Sequence, residues 1–232
     1  MRKLIALFLI LALTLFAVSA MADQTITVSG SGETLVTADT AVVSLGVSVR
    51  KTDALQAQSE ANKVIASIRD ALTGAGFSEE DISTGYINLY AVYDYGGAVE
   101  VIAAYNASSN LAVKVTDMSR VGEVIDLAFG AGANTLDGVS FSVSDDTAAK
   151  AQSMKNAVEN AKEKAAILAE AAGFGEIEIV SIQEGNTYSF DSGVNNFSAK
   201  GMAVEEAATS PTVVRAAKIV VSAAVTVVFK VK

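Results

Sequence analysis

The sequence predicts an α+β fold in which an antiparallel sheet has helices packed on one face. Between residues 40 and 144, segments with alternating and with helical apolar spacing follow in the order strand, helix, strand, strand, helix, strand. Residues 147–172 then keep a helical pattern without glycine or proline, and two further apolar strands follow. This order is the split βαβ arrangement of ferredoxin-like domains, extended by one long helix and two strands.

The N-terminal residues predict a secretory signal peptide. Arg2 and Lys3 precede an uncharged apolar run over residues 4–18, and the small residues that follow permit cleavage after Ala20 or Ala22. The run is shorter than the roughly 20 residues that cross a bilayer, so we expect no stable membrane span after cleavage. The expected location is the periplasm or the cell exterior.

Composition limits the class of protein and its partners. Residues 1–22 are assigned to the signal peptide and residues 23–232 to one domain. This domain is large enough to bury a hydrophobic core without disulfide bonds. The formal net charge is −9, and loss of the two basic residues of the leader makes it −11. A surface this acidic repels nucleic acid, so nucleic acid is not an expected partner.

The first strands and helix follow from local patterns. QTITVSGSGE predicts a short strand that ends in a turn at Gly30-Ser31-Gly32, and residues 40–50 alternate as a half-buried strand. Asp53 is expected to cap the next helix, with Gln56 at the third helical position. The buried stripe of that helix is Ala57, Ala61, Val64, Ile65, Ile68 and Leu72.

A hairpin and a second helix follow. Residues 82–95 and 101–115 predict two strands joined through a glycine pair. Thr116 or Asp117 is expected to cap a helix over residues 121–129, and the glycines of GAGAN end it with a tight turn. LDGVSFSVS then alternates as another strand with one wet face.

The long helix begins after Asp145 and Asp146, which supply capping side chains. Its apolar seam is predicted at Ala151, Met154, Val158, Ala161, Ala165, Leu168 and Ala172. Because most of these residues are alanine, the pattern favours close packing on a sheet over a free coiled coil.

The last two strands, at residues 176–185 and 218–232, are expected to pair with each other. Residues 186–212 between them contain the only proline and no periodic pattern, which predicts a flexible loop. The final strand is apolar on both faces. An open edge on this strand would allow pairing with another chain, whereas a central position in the sheet would explain the same composition.

The residue types exclude most catalytic and metal chemistry. The chain has no histidine and no cysteine, which removes the usual general base, the nucleophile pairs and the usual zinc sites. The carboxylates considered for acid–base work are Asp94, Asp137, Asp145, Asp146, Asp191, Glu205 and Glu206, and none lies in a catalytic motif. We therefore expect no catalytic residues, no cofactor and no metal site.

Tyrosines mark the one candidate surface. Tyr86, Tyr90, Tyr93, Tyr95 and Tyr105 lie in the predicted hairpin, with the first two on one strand face and the next two on the other. Cross-strand aromatic pairs would explain them as sheet stabilisers. Alternatively, the hairpin projects as a contact surface, since tyrosine is enriched at interfaces.

Several motifs resemble the SIMPL-domain family of exported bacterial proteins, also called YggE-like. They are ITVSGSGE, NKVIASIRDALTGAGFSEEDIST, AYNASSNLAVKVTD, RVGEVIDLAFGAGANTLDGVSFSVSD and AKEKAAILAEAAGF, which together span about residues 24 to 185. The resemblance implies a cell-envelope protein, in some members linked to oxidative stress. It implies no catalytic residues.

Together these observations predict an exported envelope protein, not an enzyme, that acts through protein–protein contacts or self-assembly. The family resemblance adds a role in envelope or oxidative stress tolerance as an expectation. We expect a homo-oligomer and consider an envelope protein as a further partner. The alternatives are a periplasmic small-molecule or peptide binding module and, less favoured, a carboxylate-dependent hydrolase.

Overall fold

The computed structural model describes residues 24–97, 100–191, 211–216 and 218–232, without the side chain of residue 191. The strands are β1 (Thr25–Thr37), β2 (Thr40–Lys51), β3 (Ile82–Asp94), β4 (Val101–Val115), β5 (Thr135–Ser142), β6 (Ile177–Asp191) and β7 (Lys218–Val231). The helices are α1 (Ala54–Gly74), α2 (Val121–Gly130) and α3 (Thr147–Ala171). The predicted α+β class is confirmed.

Four strands form an antiparallel sheet in the order β3-β4-β2-β5. This is the ferredoxin-like order, because the two strands of each βαβ unit lie with one strand of the other unit between them. Helices α1 and α2 supply residues to the core on one face. That core contains Val43, Leu45, Ile68, Leu72, Leu111, Val113, Val121 and Val124, all fully buried.

Local signals set the ends of α1 and α2 as the sequence predicts. The Asp53 carboxylate accepts a hydrogen bond from the backbone N–H of Gln56 at 2.9 Å, which caps α1. Asp117 accepts a hydrogen bond from the N–H of Ser119 in the 3₁₀ turn that leads into α2. Helix α2 ends at Gly130, and Gly132 follows with a φ of +107°, a value that favours glycine.

The other three strands form a sheet in the order β1-β7-β6, so the predicted pairing of the last two strands is confirmed. Strand β7 is central and pairs on both sides. Of the two positions that the sequence allowed for β7, the open edge is therefore ruled out, and the central position explains why this strand is apolar on both faces. Among the described strands, β6 lies at an edge of this sheet instead.

Helix α3 packs closely on the first of these strands. Its small residues Ala157, Ala161 and Ala165 are fully buried against a cluster that includes Val28 and Phe229. Packing on a sheet is confirmed, and the predicted seam is correct only in part: Ala161 and Ala165 are buried, and Met154 and Val158 are half-buried. The buried stripe recurs every fourth residue, at Ala149, Ser153, Ala157, Ala161, Ala165 and Ala169, whereas Ala151, Leu168 and Ala172 are exposed.

The predicted turn at Gly30-Ser31-Gly32 is also wrong, because β1 runs straight through these residues. A Cβ atom on Gly30 would lie 2.1 Å from the carbonyl oxygen of Ala157, and one on Gly32 would lie 2.2 Å from that of Ser153. Glycine is required there by the close approach of helix backbone to strand backbone.

Contacts divide the described chain into two units. One contains residues 24–32, Ser153–Thr187 and Ala223–Lys232, and the other contains Glu33–Gln152 together with the described residues among Tyr188–Ser222. The boundary falls inside β1, α3, β6 and β7, so four elements contribute to both.

The predicted flexible loop begins too early. Strand β6 continues to Asp191, so residues 186–191 are strand, and residues 192–210 lie outside the described part of the chain. Within the described segments, no helix has the length and apolar character that crossing a membrane requires.

Candidate contact surface

Strands β3 and β4 continue past the end of the sheet. Strand β2 ends at Lys51, which pairs with Tyr105 of β4. Beyond this point β3 and β4 pair with each other, from Val92 opposite Ala104 to Asp94 opposite Val101. We call residues 92–97 and 100–104 the hairpin arm.

The hairpin arm exposes apolar side chains on both of its faces. Tyr93, Tyr95, Val101 and Ile102 are between 43% and 75% exposed, and the rings of the two tyrosines lie 6.4 Å apart between centroids. A two-stranded ribbon without a helix against it buries little surface and is marginally stable alone in water. Exposed apolar residues on such a ribbon are typical of an interaction site.

The other tyrosines have different surroundings. Tyr86 and Tyr90 pair with Asn110 and Asn106 and lie on the sheet face away from α1 and α2, as the alternation predicted. A register shift between Val92 and Tyr93 adds a residue to β4 and none to β3. Side chains of β3 therefore continue to alternate between the two faces as far as Tyr93. Tyr105 is half-buried and packs against the cluster that contains Ala57 and Ala61, so it belongs to the fold.

The sheet face away from the helices, here called the polar face, carries linked amide and hydroxyl groups. The Nδ2 of Asn106 donates hydrogen bonds to the hydroxyl of Tyr90 and to Ser108 Oγ, both at 3.1 Å. The hydroxyl of Ser48 donates to Asn106 Oδ1 at 3.2 Å. This chain of bonds crosses β3, β4 and β2 and fixes the position of Tyr90 at the base of the hairpin arm.

A second network on the polar face is centred on Asn110, which is 5% exposed. Its Oδ1 accepts a hydrogen bond from the N–H of Tyr86, and its Nδ2 donates to Asp137 Oδ2, both at 2.8 Å. Asn110 pairs with Gly46 of β2, so no side chain of that strand separates it from Asp137 on β5. A Cβ atom on Gly46 would lie 2.6 Å from the Cα of Asn110.

Two β-bulges position the partners of Asn110. Gly85 is the unpaired residue of β3, between Thr84 and Tyr86, and Asp137 is the unpaired residue of β5, between Leu136 and Gly138. Burial, the negative charge of Asp137 and a hydrogen-bonding interaction with its carboxylate raise the pKa of Tyr86 above its ordinary value.

The carboxylates considered for catalysis have structural partners instead. Asp94 accepts a hydrogen bond from the N–H of Gly96, and Asp145 accepts one from the N–H of Thr147 at the start of α3. Asp146 forms an ion pair with Lys150 at 2.9 Å. The side chain of Asp191 and the residues Glu205 and Glu206 lie outside the described chain.

A cavity of about 670 Å³ lies beside α2, and its two acidic side chains, Glu123 and Asp126, already have partners within the protein. Glu123 forms an ion pair with Arg120 at 2.8 Å. The Asp126 carboxylate accepts hydrogen bonds from both the N–H and the hydroxyl of Thr212, which fasten residues 211–216 to the helix. Among the residues that the structure describes, no three acidic side chains come together as a metal site.

Sequence reasoning did not find the Asn110 network. The available signal was glycine inside two strands, at Gly46 and Gly85, because glycine in a strand often marks a bulge or a close approach. Which side chain makes use of that space depends on strand order and register.

Comparison with known proteins gives the family. The sequence model described as "SIMPL: Protein of unknown function (DUF541)" matches residues 26–229, so it includes the last strand as well as the motifs found by inspection. The match covers most of the chain.

Individual relatives agree with this assignment. The "26 kDa periplasmic immunogenic protein" of Brucella melitensis is 30% identical over 164 residues, which are 68% of this chain and 66%, just under two thirds, of the relative's length. The "Uncharacterized protein YggE" of Escherichia coli K12 is 28% identical over 171 residues, 70% of each chain. The name of the Brucella relative agrees with the expected periplasmic or exterior location. The chain belongs to the SIMPL family.

Proposed function

We propose that this protein is a non-catalytic component of the cell envelope that acts through protein–protein contacts made by the hairpin arm, either with an envelope partner or with further copies of itself. The observation that carries the proposal is the projection of exposed apolar residues beyond the sheet. Tyr93, Tyr95 and Ile102 are exposed in the described structure, and a two-stranded ribbon of this kind gains stability when a partner covers it. A role in envelope or oxidative stress tolerance would follow from the identity of that partner.

The composition of the hairpin arm supports a protein partner. Tyrosine and aliphatic side chains provide large contact area, and tyrosine loses little conformational entropy when it is immobilised. The hydrogen bond from Asn106 to the hydroxyl of Tyr90 holds the base of the arm in one conformation, so less ordering is needed on binding.

The alternative of a carboxylate-dependent hydrolase has less support. Such an enzyme needs two carboxylates that face one cleft. Asp94 and Asp145 cap backbone N–H groups and Asp146 is in an ion pair, so none of these three is arranged with a second acid for that chemistry.

Cross-linking in the native envelope tests the proposal. Tyr95→Arg with Ile102→Arg adds two charges to the exposed arm and should remove the cross-linked species that the wild-type protein forms. Leu55→Arg is the matched control, because Leu55 is an exposed apolar residue of α1 away from the arm. Cross-linked species that persist unchanged in the arm variant would refute the proposal.

A further inference from the structure

The polar face contains a cavity that the proposed contacts of the hairpin arm do not use. Its volume is about 400 Å³, and its lining includes Ser44, Tyr86, Asn110, Asp137 and Ser140. Among the described residues, one carboxylate and several hydroxyl and amide groups line it, and no basic side chain does.

The position of the carboxylate is fixed by the backbone around it. Asp137 is the extra residue of a β-bulge, and Gly138 beside it has a φ of +151°, a conformation that other residues rarely adopt. The buried amide of Asn110 reaches over Gly46 and donates to Asp137 Oδ2 at 2.8 Å. The carboxylate is thus held by a buried group and does not move freely on the surface.

This carboxylate keeps unused hydrogen-bonding capacity. An ionised carboxylate accepts about four hydrogen bonds, and the donors around Asp137 are the neutral groups of Asn110 and Tyr86. Other acids of the chain, such as Glu123, Asp146 and Glu178, form ion pairs. Within the described segments, no ion pair includes Asp137.

We propose that this cavity binds an organic cation, a primary ammonium or guanidinium group, with Asp137 as the counter-charge. Ser44 and Ser140 add hydroxyl acceptors for the remaining N–H groups, and the ring of Tyr86 provides a π surface at the cavity wall. A hard metal ion fits less well, because Ca²⁺ takes six to eight oxygen ligands and the cavity offers one carboxylate.

The cationic group of the ligand belongs either to a small amine or to a basic side chain of a peptide. In both cases one cationic group enters the cavity, and the rest of the ligand lies along the polar face. The overall net charge of −9 favours the approach of either ligand.

Titration of the full-length ¹⁵N-labelled protein at low salt tests the inference. The probes are 1,5-diaminopentane and the methylamide of Nα-acetyl-lysine, with 1-pentanol as the uncharged control, and the readout is the chemical shift of backbone amides. We expect saturable shifts at the amides of Tyr86, Asn110 and Gly138 with both cationic probes and none with 1-pentanol. Raising the ionic strength should weaken the binding.

Asp137→Asn separates binding from structure, because an asparagine oxygen still accepts the hydrogen bond from Asn110 while the charge is lost. Affinity for the cationic probes should fall by roughly tenfold or more, the factor expected when a charged hydrogen-bond partner becomes neutral. Asp70→Asn removes an equal charge from the exposed surface of α1 and should leave affinity unchanged.

Several outcomes would overturn the inference: no saturable shifts at the cavity, shifts of equal size with 1-pentanol, or equal affinity in the Asp137→Asn protein. Loss of stability in that variant without any probe binding to the wild type would indicate a purely structural network. Binding of the diamine alone assigns a small amine, and binding of the lysine derivative alone assigns a peptide side chain. These results do not depend on the hairpin arm, so they remain separate from the cross-linking test.

Discussion

At the scale of single residues, the four-stranded sheet depends on one buried amide. Asn110 joins the two bulges of the sheet through Tyr86 on one side and Asp137 on the other. Its space exists because Gly46 and Gly85 lack side chains. Buried polar groups that are fully hydrogen-bonded specify one arrangement of a structure, since a displaced partner leaves an unsatisfied group behind.

Asn110→Ala should lower the free energy of unfolding by about 1 to 3 kcal/mol, because it leaves the N–H of Tyr86 and one oxygen of Asp137 without their partner. For a chain of this length the midpoint of thermal unfolding should fall by roughly 2 to 12 °C. The control is Asn88→Ala on the exposed surface of β3, which should change the midpoint little. Equal midpoints for the Asn110→Ala and wild-type proteins would show that the network adds no stability.

A second residue-scale prediction concerns acid. Asp39 accepts hydrogen bonds from the hydroxyl and the N–H of Ser144, at 2.6 and 2.8 Å, and these bonds lower the pKa of Asp39 in the folded protein. A lowered folded pKa means that the stabilisation is complete above the unfolded value of about 4 and is lost as the pH falls below it.

The midpoint of thermal unfolding should therefore decrease as the pH falls below about 4. Asp39→Asn should show a shallower decrease than the wild-type protein. Asp70→Asn, on the exposed surface of α1, serves as the control and should keep the wild-type slope. Superimposable pH curves for the Asp39→Asn and wild-type proteins would remove Asp39 from the explanation.

At the scale of elements, the packing of α3 on β1 depends on small residues on both partners. Alanine every fourth residue of the helix faces glycine on the strand, which brings the two backbones close together. The sequence predicted a helix that packs on a sheet, and that prediction is confirmed. The predicted seam alternated spacings of three and four, so it included Ala161 and Ala165 but missed Ser153 and Ala157, which continue the buried stripe at a constant spacing of four.

Gly30→Ala should destabilise the unit that contains α3 by at least about 2 kcal/mol, because the new methyl group would meet the carbonyl oxygen of Ala157, which is backbone and cannot turn aside. Chemical denaturation followed by circular dichroism measures this. Gly175→Ala is the control, since a Cβ atom there has no neighbour within 4 Å. A stable Gly30→Ala protein would mean that helix and strand separate at little cost.

The accuracy of the sequence predictions varied with the kind of signal. Strand and helix bounds came out well where apolar periodicity was strong, as in β4, and where a cap such as Asp53 marked the start. The bulge at Asp137 could not be predicted, because it depends on register with a neighbouring strand and no glycine occupies the extra position. The same limit hid the Asn110 network, whose three members are distant in sequence.

At the scale of the whole molecule, sheet order determines which strands remain available for other chains. Composition alone suggested that β7 could be such a strand. A central strand and an edge strand that pairs with another chain can, however, have the same apolar sequence. The described structure places β6 at the edge and β7 inside. Strand β6 has exposed apolar side chains at Ile179, Val180 and Ile182. We therefore expect self-association to use β6.

We expect the mature protein to form a dimer or a closed ring through β6, because a 15-residue edge strand with apolar side chains on both faces readily pairs with another strand. Val180→Lys with Ile182→Lys should return the protein to the monomer mass in light scattering after size exclusion, since both side chains are at least half-exposed and their replacement costs the fold little. Ile167→Lys is the control, because it places a lysine on the exposed surface of α3 and leaves the strand edge intact. A wild-type protein that keeps the monomer mass across a wide dilution range would refute self-association. If the variant with both lysines still forms an oligomer, the interface does not lie on β6, and the hairpin arm is the next surface to change.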